Sequence, residues 1–145
     1  MTPKQESESL IDEMLPFAKH LLGSYGEFPP FGGLIKMDEQ MILLGAGPAE
    51  ELASRADLVS VLSDGFRQRA LSGEIRAAAI VAQVTVPGSG LAGDVDAVRI
   101  SLDHHGGYAV HVFFPYRKNG TLVTFAEPFA SPGTSFAFRG EAFPS

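Results

Sequence analysis

Val98-Arg99-Ile100-Ser101-Leu102-Asp103-His104-His105-Gly106-Gly107-Tyr108-Ala109-Val110-His111-Val112-Phe113-Phe114 is the stretch on which the fold turns. Apolar and polar residues alternate on either side of a glycine pair, which is the pattern of two half-buried strands joined by a short loop. Residues directly opposite one another in such a hairpin share a face. A two-residue Gly106-Gly107 loop would pair Leu102 with His111 and mix the faces. A three-residue loop, His105-Gly106-Gly107, pairs Leu102 with Val110 and Ile100 with Val112. Val98, Ile100 and Leu102 then form one apolar face with Val110, Val112 and Phe114. Three-residue hairpin loops commonly hold a glycine in the left-handed region. The opposite face carries Arg99, Ser101, Asp103, His111 and Phe113.

Working outward, Ile75–Val86 reads as the central strand. It is apolar on both faces, and Ala77, Ala78, Ala79 and Ala82 leave room for a helix to approach closely. Asn119-Gly120 marks a turn into a short strand over Thr121–Ala126. Upstream, Thr2-Pro3-Lys4-Gln5 is a helix start with a capping box and proline at the first helical position. Leu10, Met14, Ala18 and Leu21 give the helix its apolar face. Gly23 is a natural stop, and Pro16 is expected to kink or divide the helix. Leu34–Met37, the turn Asp38-Glu39-Gln40, and Met41–Leu44 form a first hairpin. Gly47-Pro48 opens a second helical region with Glu50 and Glu51 in its first turn, where the helix dipole favours them. Leu58, Val61, Leu62 and Phe66 stripe this region, and Gly73 ends it. Asp57 offers a second start, so the region reads as one helix or two. The expected fold is α+β, in the order α-ββ-α-βββ(β). It has an antiparallel sheet of about five to six strands with two main helices on one face. Residues 1–127 form one domain. Residues 128–145 form a tail rich in Phe and Pro, which docks on its own domain or on a second copy.

The 145 residues suffice for one domain with its own core. With no cysteine, disulfides, thiolate–zinc sites and cysteine nucleophiles are excluded. A net charge of −6 opposes binding to phosphate backbones and anionic membranes. No apolar run reaches the roughly 18 residues of a membrane span, and Met1–Ser9 lacks a signal-peptide core. The reading is cytoplasmic, with no nucleic-acid, membrane or cofactor partner.

Three of the four histidines lie in or beside the quoted hairpin. In the preferred register His111 is opposite Ser101 and diagonal to Asp103. An Asp–His pair there raises the imidazole pKa or orients a metal ligand, and His105 at the loop tip offers a second ligand. A polar sheet face with an ordinary ion pair explains the same pattern. Gly88-Ser89-Gly90-Leu91-Ala92-Gly93 spells the dinucleotide fingerprint. It leads into the strand-like Asp94-Val95-Asp96 rather than a helix N-terminus, so it reads as a hairpin loop. Gly45-Ala46-Gly47-Pro48 lacks a third glycine and reads as a turn with a helix cap. Glu27 sits between Tyr25 and Phe28 in an apolar loop with Phe31, where desolvation raises a carboxyl pKa or the side chain caps a backbone amide.

The run Gly26-Glu27-Phe28-Pro29-Pro30-Phe31-Gly32 after the Leu15–Leu22 helix resembles a group of small bacterial proteins of unknown function. Gly73-Glu74-Ile75-Arg76-Ala77-Ala78 and Val112-Phe113-Phe114-Pro115-Tyr116 share the likeness, which extends over about residues 10–118. The resemblance implies a compact bacterial α+β domain and carries over no catalytic residue. The expected function is a non-enzymatic binding or protein-interaction module, as a homodimer or with a protein partner. Tyr25, Phe28, Phe31 and Phe113 are interface candidates. An immunity-type protein with a basic partner is one version. The alternative is a small enzyme or a ligand- or metal-binding protein using Glu27, Asp103, His105 and His111.

Overall fold

The computed structural model describes residues 2–45, 55–88 and 93–138. Its elements are α1 (Pro3–Tyr25), β1 (Phe31–Lys36), β2 (Met41–Gly45), α2 (Arg55–Leu71), β3 (Ile75–Pro87), β4 (Asp94–His104), β5 (Tyr108–Asn119), β6 (Leu122–Phe125) and β7 (Phe129–Pro132). The sheet order is β2-β1-β3-β4-β5-β6, with β7 also paired to β5, and every pairing is antiparallel. The class is α+β, as the sequence pattern predicts. Ile75–Pro87 is interior to the sheet and buried along most of its length.

The two helices do not share a face. Leu10, Met14, Ala18 and Leu22 of α1 pack with Ala77, Ala79 and Val81, whereas Leu62 and Phe66 of α2 pack with Leu34, Ala78 and Ile80. Odd and even positions of one strand point to opposite sides, so the sheet lies between the helices. The cause is topological. β2 and β3 are both antiparallel to β1, hence parallel to each other, and α2 carries the crossover between them. A crossover between parallel strands has a strongly preferred hand, which dictates its face. Reading the chain as successive hairpins misses that constraint. The alanines of β3 therefore admit a helix on each side.

Thr2 accepts from the Gln5 N–H and Gln5 reciprocates, so the capping box forms. α1 passes through Gly23 and ends at Gly26, which adopts φ 80° and returns its N–H to the Leu22 carbonyl. Only the second glycine meets the left-handed cap geometry. Pro16 lies inside this helix without dividing it. β1 begins at Phe31 rather than Leu34, because Gly32 and Gly33 pair with β2 and β3. In α2, Leu58, Leu62 and Phe66 are buried but Val61 is 54 % exposed. Gly45 ends β2, and the Gly47-Pro48 start with Glu50 and Glu51 lies outside the described residues. Of the Gly88–Gly93 loop, residues 89–92 lie outside them too. The loop's flanks pair as strands, Pro87 opposite Asp94, so no helix follows it.

The described part of the tail, residues 128–138, docks on its own domain. Phe129–Pro132 forms β7 along Val110–Phe113, and Ala137 is buried in the α2 cluster beside Phe136 and Phe138. Strand periodicity did not expose β7, because Pro128 and Pro132 leave only a short segment between them. No helix among the described residues is long and apolar enough to cross a membrane.

Candidate functional site

The β4–β5 hairpin has the register that face alternation requires. Leu102 pairs with Val110, Ile100 with Val112 and Ser101 with His111, and the loop is His105-Gly106-Gly107. Gly107 takes φ 94° and donates its N–H to the His104 carbonyl. Gly106 has no room for a side chain, since a Cβ there would lie 2.8 Å from Cγ of Pro3. The loop is thus seated against the start of α1.

That seat contains a buried polar network. Glu6 Oε1 is 2.7 Å from His104 Nε2, and Glu6 Oε2 accepts from Arg76 at 2.8 Å. The Gly106 N–H donates to His104 Nδ1 at 2.9 Å. Nδ1 is therefore an acceptor, which leaves the ring proton on Nε2, donated to Glu6. Burial alone would raise the Glu6 pKa, but the hydrogen bonds from His104 and Arg76 and the Arg76 charge outweigh it and hold the carboxyl below its ordinary value. A lowered folded-state pKa stabilises the fold above the ordinary carboxyl range and loses that contribution as pH falls through it. Glu6→Gln is accordingly expected to cost on the order of 2 kcal/mol at neutral pH. Urea midpoints of the two proteins should converge as pH is lowered toward 3. A gap that stays constant with pH would refute the ionic role. Glu6 is 98 residues from His104 and 70 from Arg76, so no local pattern reveals the trio.

On the α2 face, Asp103 is 2 % exposed, and its Oδ2 holds the tail. It accepts from Ser135 Oγ at 2.7 Å and from the N–H groups of Phe136, Ala137 and Phe138 at 3.0, 2.8 and 3.2 Å. No hydrogen bond joins it to His111. His111 Nδ1 is instead 2.7 Å from Ser101 Oγ. Burial, and secondarily the nearby Arg99 charge, lower the His111 pKa, opposite to the rise expected from an Asp103 partner. His105 is exposed and stacks on His104 with centroids 4.9 Å apart. Burial and the neighbouring His104 and Arg76 lower its pKa, against a smaller opposing effect of Glu6. Among the described residues, no three His, Asp or Glu side chains gather to hold a metal, so Asp103, His105 and His111 do not form the cluster their spacing suggested.

The aromatic loop divides. Phe28 and Phe31 are core residues, 5.5 Å apart and edge-on, and Phe31 meets Phe17 at 5.2 Å. The Phe28 N–H donates to Gln83, which donates to the Tyr116 hydroxyl. Tyr25 is 73 % exposed at the end of α1. Glu27 is exposed rather than desolvated, and lines a groove with Gln83, Thr85 and Asp96. Gln83 and Thr85 lie on the α1 side of β3, away from Asp103 and His111. The four residues of the suggested cleft are therefore split between the two faces of the sheet.

Among the described residues, two features could take up a partner. The first is Arg99, opposite Phe113, whose buried Nε has no hydrogen-bond partner. The second is the outer edge of β2, which among the described residues pairs with β1 only. No protein-family model, curated protein or solved structure matches this chain.

Proposed function

We propose that the protein is a non-enzymatic binding module that assembles through the outer edge of β2, where a second copy pairs antiparallel with it. The observation that carries this reading is the composition of that edge. Met41-Ile42-Leu43-Leu44-Gly45 has no charge and no proline. Sheet edges are ordinarily guarded by both, because unpaired N–H and C=O groups recruit another strand. Leu43 is 43 % exposed, and Phe17, 42 % exposed, extends the apolar surface through its contact with Phe31, the ladder partner of Gly45. Antiparallel pairing about a dyad at Leu43 is self-complementary and places only neutral residues against each other. A net charge of −6 on each copy opposes association over longer range, so added salt should strengthen it.

Light scattering tests this. The wild type should show twice the 15.4 kDa chain mass. Leu43→Lys, which places a cation at the dyad without disturbing the buried core, should restore the single-chain mass. A monomeric wild type, or a lysine variant with unchanged mass, overturns the proposal. The tail is the weaker candidate for the contact, since residues 129–138 are engaged with their own domain.

A further inference from the structure

We propose that the Arg99 surface of β4 and β5 binds a small monocarboxylate with an apolar body. Arg99 lies between Ala82 of β3 and Phe113 of β5 in the ladder, and is half-buried. Its Nε is shielded from solvent and has no acceptor. Burial lowers its pKa, and among the described residues no carboxylate offsets that cost. A partly desolvated guanidinium without a counter-ion is unfavourable, and this chain has an excess of acids, 17 against 11 bases. Among the described residues none offsets the Arg99 charge, which leaves the position to an external anion.

The neighbours define its class. His111 is diagonal to Arg99 across the ladder, close enough for the Arg99 charge to act on its titration. His111 Nδ1 is 2.7 Å from Ser101 Oγ, and in the tautomer where the hydroxyl donates to Nδ1 the neutral ring carries its proton on Nε2 as a second donor. Phe113 stacks on Phe129 at 5.0 Å and 12°, and Phe129 is 47 % exposed. Phe129 also lines a cavity of about 380 Å³ with Val86, Val95 and Pro115 on the same side of the sheet, where Arg117 and Glu127 add one charge of each sign. A guanidinium fork matches a carboxylate bidentately. The phenylalanine pair and cavity match a hydrocarbon body, and the volume is that of a small-ligand site. One guanidinium and one neutral imidazole balance a single negative charge.

Octanoate is the probe, with octanol as the same body without the carboxylate and inorganic phosphate as an anion without the body. Calorimetry on the full chain should show octanoate binding at least about tenfold tighter than either control. NMR signals of His111, Phe113 and Phe129 should shift with it. Arg99→Gln should weaken octanoate by about tenfold or more and leave octanol unchanged. Phe129→Ala, at a half-exposed side chain, should weaken both and serves if the arginine variant folds poorly. Absence of octanoate binding, equal binding of octanol or phosphate, or an Arg99→Gln protein that binds octanoate as the wild type does would each overturn the assignment.

Discussion

Asp103→Ala is expected to lower stability by about 3–5 kcal/mol and to release the chain beyond Pro132. One carboxylate oxygen accepts a hydroxyl and three consecutive backbone N–H groups at 2.7–3.2 Å. Alanine leaves all four donors without that acceptor, in a place where Ala137 is 2 % and Ser135 6 % exposed. Each buried donor left unmade costs about 1 kcal/mol or more, and the sum is a large part of the typical margin of a domain. Detachment also uncovers Phe66, which Phe136 touches at 6.1 Å between centroids. The urea midpoint should fall, and chymotrypsin should cut at Phe136 or Phe138 under conditions that leave the wild type whole. Asp103→Asn keeps an oxygen in place without the charge and should lose about half as much. If the alanine variant matches the wild type in both midpoint and cleavage, the carboxylate is not the latch.

Asp103 also shows how far the sequence could be read. Its face and its neighbours in the ladder follow from alternation alone, because a one-residue slip would carry Leu102 and Ile100 to the opposite face and mix apolar with polar positions. Its partners do not follow, because they lie 32 to 35 residues downstream in a segment without strand or helix period. Glu6 and His104 illustrate the same boundary at longer range. Arg99 is intermediate: its position opposite Phe113 is legible, whereas its lack of a counter-ion among the described residues depends on where distant acids end up. The helix placement failed for another reason. Periodicity says that α2 has an apolar stripe but not which side of β3 it covers. That choice is made by the β2–α2–β3 crossover, which becomes visible only once β1 is known to lie between the two strands. The pairing Phe31-Gly32-Gly33 with β3 was similarly hidden, because glycine has low strand propensity and its value there is spatial.

That spatial role supports the second large effect. Gly32→Val is expected to destabilise by about 3 kcal/mol or more, and Gly32→Ala by somewhat less. A Cβ on Gly32 would stand 2.7 Å from Cζ of Phe66 and 2.8 Å from the Ala79 carbonyl oxygen. Phe66 is 1 % exposed within the α2 core cluster, and the carbonyl belongs to the central strand. The adjacent glycine is the control. A Cβ on Gly33 points to the α1 side and meets Met14 Sδ at 3.0 Å and Leu43 Cδ2 at 3.2 Å, both on flexible side chains. Gly33→Ala should therefore cost under about 1 kcal/mol. Thermal or urea unfolding of the two alanine variants measures the difference directly. Phe66→Leu added to Gly32→Ala should recover only part of the loss, because it relieves the ring contact and leaves the carbonyl contact in place. Equal stability of the two glycine variants would mean that α2 is not seated on Gly32. The glycine pair would then not be what lets one strand lie between two closely packed helices.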